Sequence, residues 1–415
     1  MSTQNIEQEA LALHRHYQGK IETHVKVPME TAHDLTLAYT PGVAAPCLEI
    51  QADEEKAYDY TSKGNTVAIV TNGTAVLGLG NIGAKAGLPV MEGKAALFKV
   101  FAGVDAVPLC LDTDDAQEII KTVELLAPSF GGINLEDIRA PQCFDIEKQL
   151  RKSLDIPVMH DDQHGTAVVV VSALINAFRL LGKTFEEAKI VVNGAGAAGM
   201  AITRLLQCMK TKHILLCDTK GAIYKSRKEN MNPYKKDIAD ITNLEEEKGS
   251  LAEVLRGADV FIGVSRGHCV TEDMVRSMAK DAIVMAMANP EPEIMPDLAK
   301  HAGARVVCTG RSDFPNQVNN LLAFPGIFRG AMDVRATDIN EAMRVAAAKA
   351  IASLVKPEEL AEDHVIASAL DKRVAAMVAE AVARAAQESS IAKRMDITPA
   401  EVRQRTLQRV GVAEA

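Results

Sequence analysis

The pattern Gly-x-Gly-x-x-Gly occurs twice in this chain, and its second copy constrains the fold more than any other feature. A fingerprint that cradles a pyrophosphate needs a strand ending at its first glycine. It also needs a helix beginning within the motif, so that free N–H groups and the helix dipole face the phosphates. An acid about 20 residues further on should end the next strand and meet the ribose hydroxyls. The run Gly194-Ala195-Gly196-Ala197-Ala198-Gly199 satisfies each demand. AKIVV leads in, Ala197–Met209 reads as a helix, and HILLC ends in Asp218, nineteen residues past Gly199. The first copy, Gly78-Leu79-Gly80-Asn81-Ile82-Gly83, does not. Gly87 and Pro89 are expected to interrupt the segment that follows, and no strand-ending acid stands at the right distance. Its glycines still suit a close backbone approach to a small ligand.

A dinucleotide site of this kind implies alternating strands and helices, and the chain supplies them on both sides. Apolar runs at Val67–Val70, Ala106–Leu111 and Ile133–Leu135 precede it, with a helix over Asp115–Leu126 that Asp114 or Asp115 can cap. A helix over Thr166–Leu181 follows, then runs at Ile190–Val192, Ile214–Cys217, Val260–Val264, Ile283–Ala288 and Val306–Cys308. The fold class read from this is α/β: an N-terminal α/β domain over 1–160, a Rossmann-type doubly wound parallel-sheet domain over 161–390, and a helical tail over 391–415. The Ala-rich amphipathic stretches Asn340–Leu354 and Arg373–Gln387 read as packing helices.

Bulk properties exclude several classes. A net charge of -9 gives no nucleic-acid-binding surface. The start MSTQNIEQEALALHRHY lacks the apolar core of a signal peptide, and apolar stretches such as Thr166–Ala173 look too short for a membrane span. Seven cysteines without C-x-x-C spacing indicate reduced thiols and a cytoplasmic setting.

Two acidic pairs follow strand-like runs: Glu136-Asp137 in GGINLEDI and Asp161-Asp162 in IPVMHDDQHGTA. Ligands collect at the carboxyl ends of strands in such sheets, and converging carboxylates suit Mg²⁺ or Mn²⁺. His160 and His164 mimic a zinc-protease motif. That reading needs a helix, whereas Pro157 and Ile156–Met159 point to a strand running into a turn, so the two imidazoles are expected to make local hydrogen bonds. Asp218 leans the cofactor toward NAD. Lys220, Lys225, Arg227 and Lys228 could instead pair with the 2′-phosphate of NADP.

Taken in order, Tyr39-Thr40-Pro41-Gly42-Val43-Ala44, the Gly78–Gly83 loop, Gly93-Lys94, Leu135-Glu136-Asp137, His160–Ala167, Ala288-Asn289-Pro290, Asn319-Asn320 and Phe324-Pro325-Gly326 resemble the malic enzymes, in their compact bacterial form. The resemblance spans about residues 15 to 400. It implies an enzyme that oxidises and decarboxylates malate to pyruvate, and a homodimer or higher homo-oligomer. On it, Lys94 would take the hydroxyl proton, with Asp161 orienting it, and Tyr39 would protonate the enol. Glu136, Asp137 and Asp162 would hold the metal, and Asn289, Asn319 and Asn320 would bind substrate. A lysine base must lose its proton near neutral pH, so desolvation and the metal's charge are expected to depress Lys94. One departure stands out: larger eukaryotic relatives place a substrate-binding arginine where Ala75 stands here. A malolactic-type enzyme and a non-catalytic dinucleotide-binding regulator share parts of this pattern.

Overall fold

The structure is a computed structural model and describes residues 3–76 and 78–413. Two sheets organise it. Strands β1 (Thr66–Thr71), β2 (Asp105–Cys110), β3 (Gly132–Leu135) and β4 (Val158–His160) form the first, in the order β2-β1-β3-β4. Strands β5 (Lys189–Asn193), β6 (His213–Asp218), β7 (Gly221–Ala222), β8 (Val260–Gly263), β9 (Ile283–Ala286) and β10 (Val306–Thr309) form the second, in the order β10-β9-β8-β5-β6-β7. Every pairing is parallel except β6 with the short β7. The apolar runs are continuous because parallel strands are covered on both faces, as the full burial of β1 and β8 illustrates. In each sheet the strand order reverses at one strand, β1 in the first and β5 in the second. The crevice beyond such a strand is where α/β proteins bind ligands.

Two local readings change and a third holds. A helix runs over Ala84–Ala102, straight through Gly87 and Pro89. Pro89 lies in its second turn, where its missing N–H leaves the Lys85 carbonyl without the usual helical donor. The buried face Ala84, Gly87, Met91, Lys94, Ala95 and Phe98 outweighs what local propensity costs. The second change is at His160-Asp161, where β4 passes directly into the helix Asp161–Leu181 without a turn. That helix is 21 residues long and apolar enough to cross a membrane by length and composition, longer than the sequence suggested. It is instead a core helix, with Val168–Val171 and Leu174 fully covered. Third, the helices Glu341–Ser353 and Arg373–Glu388 pack into the same core, as expected, and the helix Pro399–Arg409 lies against the latter.

The N-terminal segment contrasts with all of this. Its helices Thr3–Tyr17, Ala32–Ala38 and Ala44–Ala52 contain no buried residue among those described. It touches the body through Lys20, which bonds Glu92 and the Pro89 carbonyl, and through Lys26 beside Asp105.

Candidate active site

The strand ends bring the acids together. Glu136 and Asp137 follow β3, and Asp161 and Asp162 open the helix after β4. Glu136, Asp137 and Asp162 each offer a carboxylate oxygen, all within 4.8 Å of one another. The Asp137 N–H donates to Asp162 at 2.8 Å, and Asn134 donates to Glu136 at 2.8 Å. Asp137 adopts a left-handed backbone (φ 52°), and its Oδ2 is buried without a partner.

Burial and crowding raise two of these carboxyls, Asp137 and Glu136. Burial and the neighbouring Asp162 and Glu136 push Asp137 up to about 9. Burial likewise raises Glu136, with Lys94 opposing and Asp162 adding to the shift. Like charges gathered out of water are unfavourable unless a cation joins them. The donor set is all oxygen, one oxygen is orphaned, and the spacing is tight. These residues therefore fit a hard divalent cation.

Lys94 projects from the helix that follows the first glycine loop and is only 8% exposed. Its Nζ lies 2.5 Å from Asp161 Oδ2 and 2.9 Å from Glu136 Oε1, and 4.1 Å from the centre of the Phe324 ring. Burial acts to depress the ammonium, as anticipated. The Asp161 and Glu136 carboxylates outweigh it and hold Lys94 above its ordinary value, contrary to the expected depression. Burial in turn raises Asp161 to about 6, against the pull of Lys94. Asn320 donates to the same Asp161 oxygen at 2.5 Å. Gly165 matters here, because a Cβ on it would run into Asp161 Oδ1.

A cavity of about 520 Å³ opens above these groups, bordered by Asp137, Asp162, Gly78, Gly196, Asn289 and Asn320. Both glycine loops therefore reach it. Asn319 borders it too, but its Oδ1 caps the short turn Asn320–Leu322 by accepting from the Leu321 N–H at 2.9 Å. Arg139 also lines the cavity, and sequence reasoning missed it although it stands two residues past Asp137. Ala75 borders the cavity with no charge to offer.

Not every candidate joins this cluster. Tyr39 is 71% exposed on the N-terminal segment and does not border the cavity. The imidazoles of His160 and His164 do not converge either. His164 bonds Glu147 and Arg344, while both ring nitrogens of His160 are buried without partners, so the expected local hydrogen bonds form at only one of the two.

The second glycine loop has the cradle geometry. β5 ends at Asn193 and the helix Ala197–Cys208 starts within the motif. A Cβ on Gly194 would press on the Val264 carbonyl at 2.5 Å, and one on Gly199 would strike the Gly194 carbonyl. Gly196 faces open space, as a backbone that receives phosphates requires. A cavity of about 750 Å³ runs from Gly194 and Ala195 to Asp218. Asp218 is heavily engaged: it accepts from Arg227 at 2.7 and 2.9 Å, Lys235 at 2.6 Å, Asn230 at 3.0 Å and the Lys220 N–H at 2.8 Å. Of the basic residues considered from sequence, Lys220 and Lys225 pair elsewhere, with Glu229 and Asp240. Lys235 and Asn230, not singled out from sequence, complete the set around Asp218.

A dinucleotide cradle facing a buried lysine and three clustered carboxylates defines a metal-assisted, nicotinamide-dependent oxidoreductase. Comparison with known proteins gives the family. The model of the malic enzyme N-terminal domain matches residues 18–119 and 113–151, and that of the malic enzyme NAD-binding domain matches 163–387. The chain belongs to the malic enzyme family. It is 58% identical to a bifunctional malic/malolactic enzyme of Bacillus subtilis, over 99% of this chain and 100% of that one. It is 54% identical to an NAD-dependent malic enzyme of Geobacillus stearothermophilus, over 92% and 80% of the two chains. The solved malic enzyme of Pyrococcus horikoshii superposes with a TM-score of 0.94 at 47% identity, covering 98% of this chain and 96% of that one.

Proposed function

We propose that this chain catalyses the oxidative decarboxylation of malate to pyruvate and CO₂, reducing NAD or NADP, with Mg²⁺ or Mn²⁺ held by Glu136, Asp137 and Asp162. One observation carries the reading: Lys94, Asp161 and Asn320 form a buried hydrogen-bonded group beside three crowded carboxylates, next to a cavity that the dinucleotide loop borders. When bound, the cation supplies positive charge against the oxygen that turns anionic as CO₂ departs, and the nicotinamide takes the hydride from malate C2.

Lys94 withdraws the malate hydroxyl proton on this reading. A cation held by Glu136 would offset that carboxylate's pull on Lys94, one of the two that raise it. Asp161 keeps Nζ in place, and Asn320 fixes Asp161. Arg139 is the one cation bordering the cavity among the described residues, and it forms no salt bridge there. Its guanidinium suits a malate carboxylate and stands in for the arginine absent at Ala75. Asn289 adds an amide to the same lining.

Tyr39 is the donor that returns a proton to C3, and it serves a second copy of this chain. The support is the N-terminal segment itself. Leu11, Tyr17, Val25, Val27, Leu37 and Leu48 are all exposed on it, an apolar surface of the kind that marks an association site. A homo-oligomer in which these segments cross would cover that surface and carry Tyr39 to the partner's cavity.

The direct test is the near-ultraviolet absorbance of reduced nicotinamide on adding malate, metal and NAD or NADP, with pyruvate and lactate measured together. The name of the Bacillus subtilis relative gives lactate a specific reason to be sought. Absence of malate-dependent reduction and of both products refutes the reading. Crossing is tested by mixing Lys94→Ala with Tyr39→Phe. Each alone lacks turnover, and activity returns on mixing if one chain's Tyr39 completes the other's site. Monomers in solution, or exchange of subunits without recovery, would rule crossing out.

A further inference from the structure

A second cavity, of about 520 Å³, lies on the other side of the acid-bearing helix start. It sits between the helices Gln142–Ser153, Ala197–Cys208 and Glu341–Ser353, at the seam of the two sheet regions. Lys148, Lys152, Arg204 and Arg344 border it, and none of the four has a carboxylate partner among the described residues. Arg151, also on the border, is neutralised by Asp338 at 2.6 Å. Against them stand Asp237 and Glu341, themselves without a cation, and Glu147, which His164 holds. A local excess of unpaired positive charge in a chain of net charge -9 is not a general surface property.

Arg344 is the least expected of the four. It is 7% exposed, yet its charge meets no carboxylate directly. Its Nε donates to the Asn340 carbonyl at 3.3 Å and its Nη1 to His164 Nδ1 at 2.5 Å, while its Nη2 has no hydrogen-bond partner among the described residues. The opposite nitrogen of His164 donates to Glu147 at 3.0 Å. Glu147 also accepts from the His160 N–H at 3.1 Å and from Gln163 at 3.3 Å. This buried chain of hydrogen bonds ends at the backbone that positions Asp161 and Asp162.

We infer that this cavity binds a small doubly charged oxyanion, a phosphate or a dicarboxylate, and that its occupancy is felt at the acids through Arg344, His164 and Glu147. Guanidinium forks match such oxyanions, and three helices would be drawn toward one ligand. An anion on Nη2 draws the guanidinium toward the cavity and loosens its Nη1 contact with His164, which alters the hold on Glu147 and on the start of the helix Asp161–Leu181. The kinetic consequence rests on the malate-oxidising reading; the binding itself does not.

The experiment measures binding of inorganic phosphate and of succinate by calorimetry to the full-length chain, and the KM for malate with each present. The expected result is saturable binding outside the malate site and a change in malate KM of about fivefold, at the low end of allosteric couplings. Lys148→Ala/Arg204→Ala, which removes two exposed cations and no group of the active cavity, should abolish both effects and leave basal turnover unchanged. A response to phosphate alone, or to succinate alone, supports the site and identifies the class. Binding and response unchanged in the double variant, simple competition with malate in both proteins, or no saturable binding of either anion would each overturn it. Binding lost in the double variant with no malate turnover in any protein would keep the site and sink the catalytic reading.

Discussion

The Gly78–Gly83 and Gly194–Gly199 loops each follow the strand at which their sheet reverses, β1 and β5, and each leads into a helix. Their surroundings differ. In the second, Gly194 and Gly199 are pressed against carbonyls while Gly196 faces open space, and the helix begins with small apolar residues. In the first, Gly78, Gly80 and Gly83 all have positive φ, and a Cβ on Gly78 would lie 2.6 Å from the Asn289 carbonyl. The helix beyond it turns a lysine inward. One spacing of glycines thus supplies a turn in both places. What the turn does is set by what the next helix brings to the strand ends: bare N–H groups in one case, a lysine among carboxylates in the other.

Replacing Lys94 with Ala should divide the two loops most sharply. Turnover should fall by about 10²–10⁴-fold, the usual weight of a general base, while cofactor binding measured by fluorescence titration stays near wild type. Comparable loss of both would erase the division of labour. Gly196→Val is the reciprocal change. Its side chain fills the space left for the pyrophosphate, so the cofactor Kd should rise about 100-fold with metal binding preserved; an unchanged Kd would mean that the wrong loop was chosen.

The acid cluster on the first side should show a pH signature that the second lacks. Asp137 is raised to about 9, so at neutral pH it holds a proton that a cation must displace. Affinity for Mn²⁺ should therefore climb as pH rises toward 9, with proton release visible as a buffer-dependent calorimetric heat. Affinity independent of pH would contradict the raised carboxyl.

Gly78→Ala probes where the two sides meet. Its Cβ would collide with the Asn289 carbonyl in a left-handed conformation, at a cost of about 1–3 kcal/mol. Malate KM and cofactor KM should both rise, whereas an effect on only one would show that the two loops are not coupled there. The smallest change concerns Asp218. Asp218→Ser frees Arg227 and Lys235, and should shift the kcat/KM ratio toward NADP by about tenfold, the order of one good ion pair at a partly buried site. The shift should vanish when Lys235→Ala is added, and persistence would point to another phosphate partner.

Much of this was legible along the chain. The apolar runs of the two sheets, the Asp115 cap and the acid pairs after strands are local signals, and they fall where expected. Asn289 and Asn320 could be placed by resemblance and do border the active cavity. The helix through Pro89 was not legible, because its stability comes from a buried face whose partners lie far away in sequence. Nor was the saturation of Asp218, since Lys235 reaches it from a separate helix.

The sequence by itself determined the order of strands and helices, the cradle at Gly194–Gly199 and the residue types available for chemistry, because periodicity and turn preference act between near neighbours. Tertiary structure alone decided that Lys94 is gripped by Asp161 and Glu136, that Arg139 borders the cavity, and that Tyr39 stands apart from it. Those outcomes depend on which strand ends share a crevice and which side chains lose water there. The burial that raises Asp137 and ties Lys94 to its partners exists only once the sheets and the long central helix have packed.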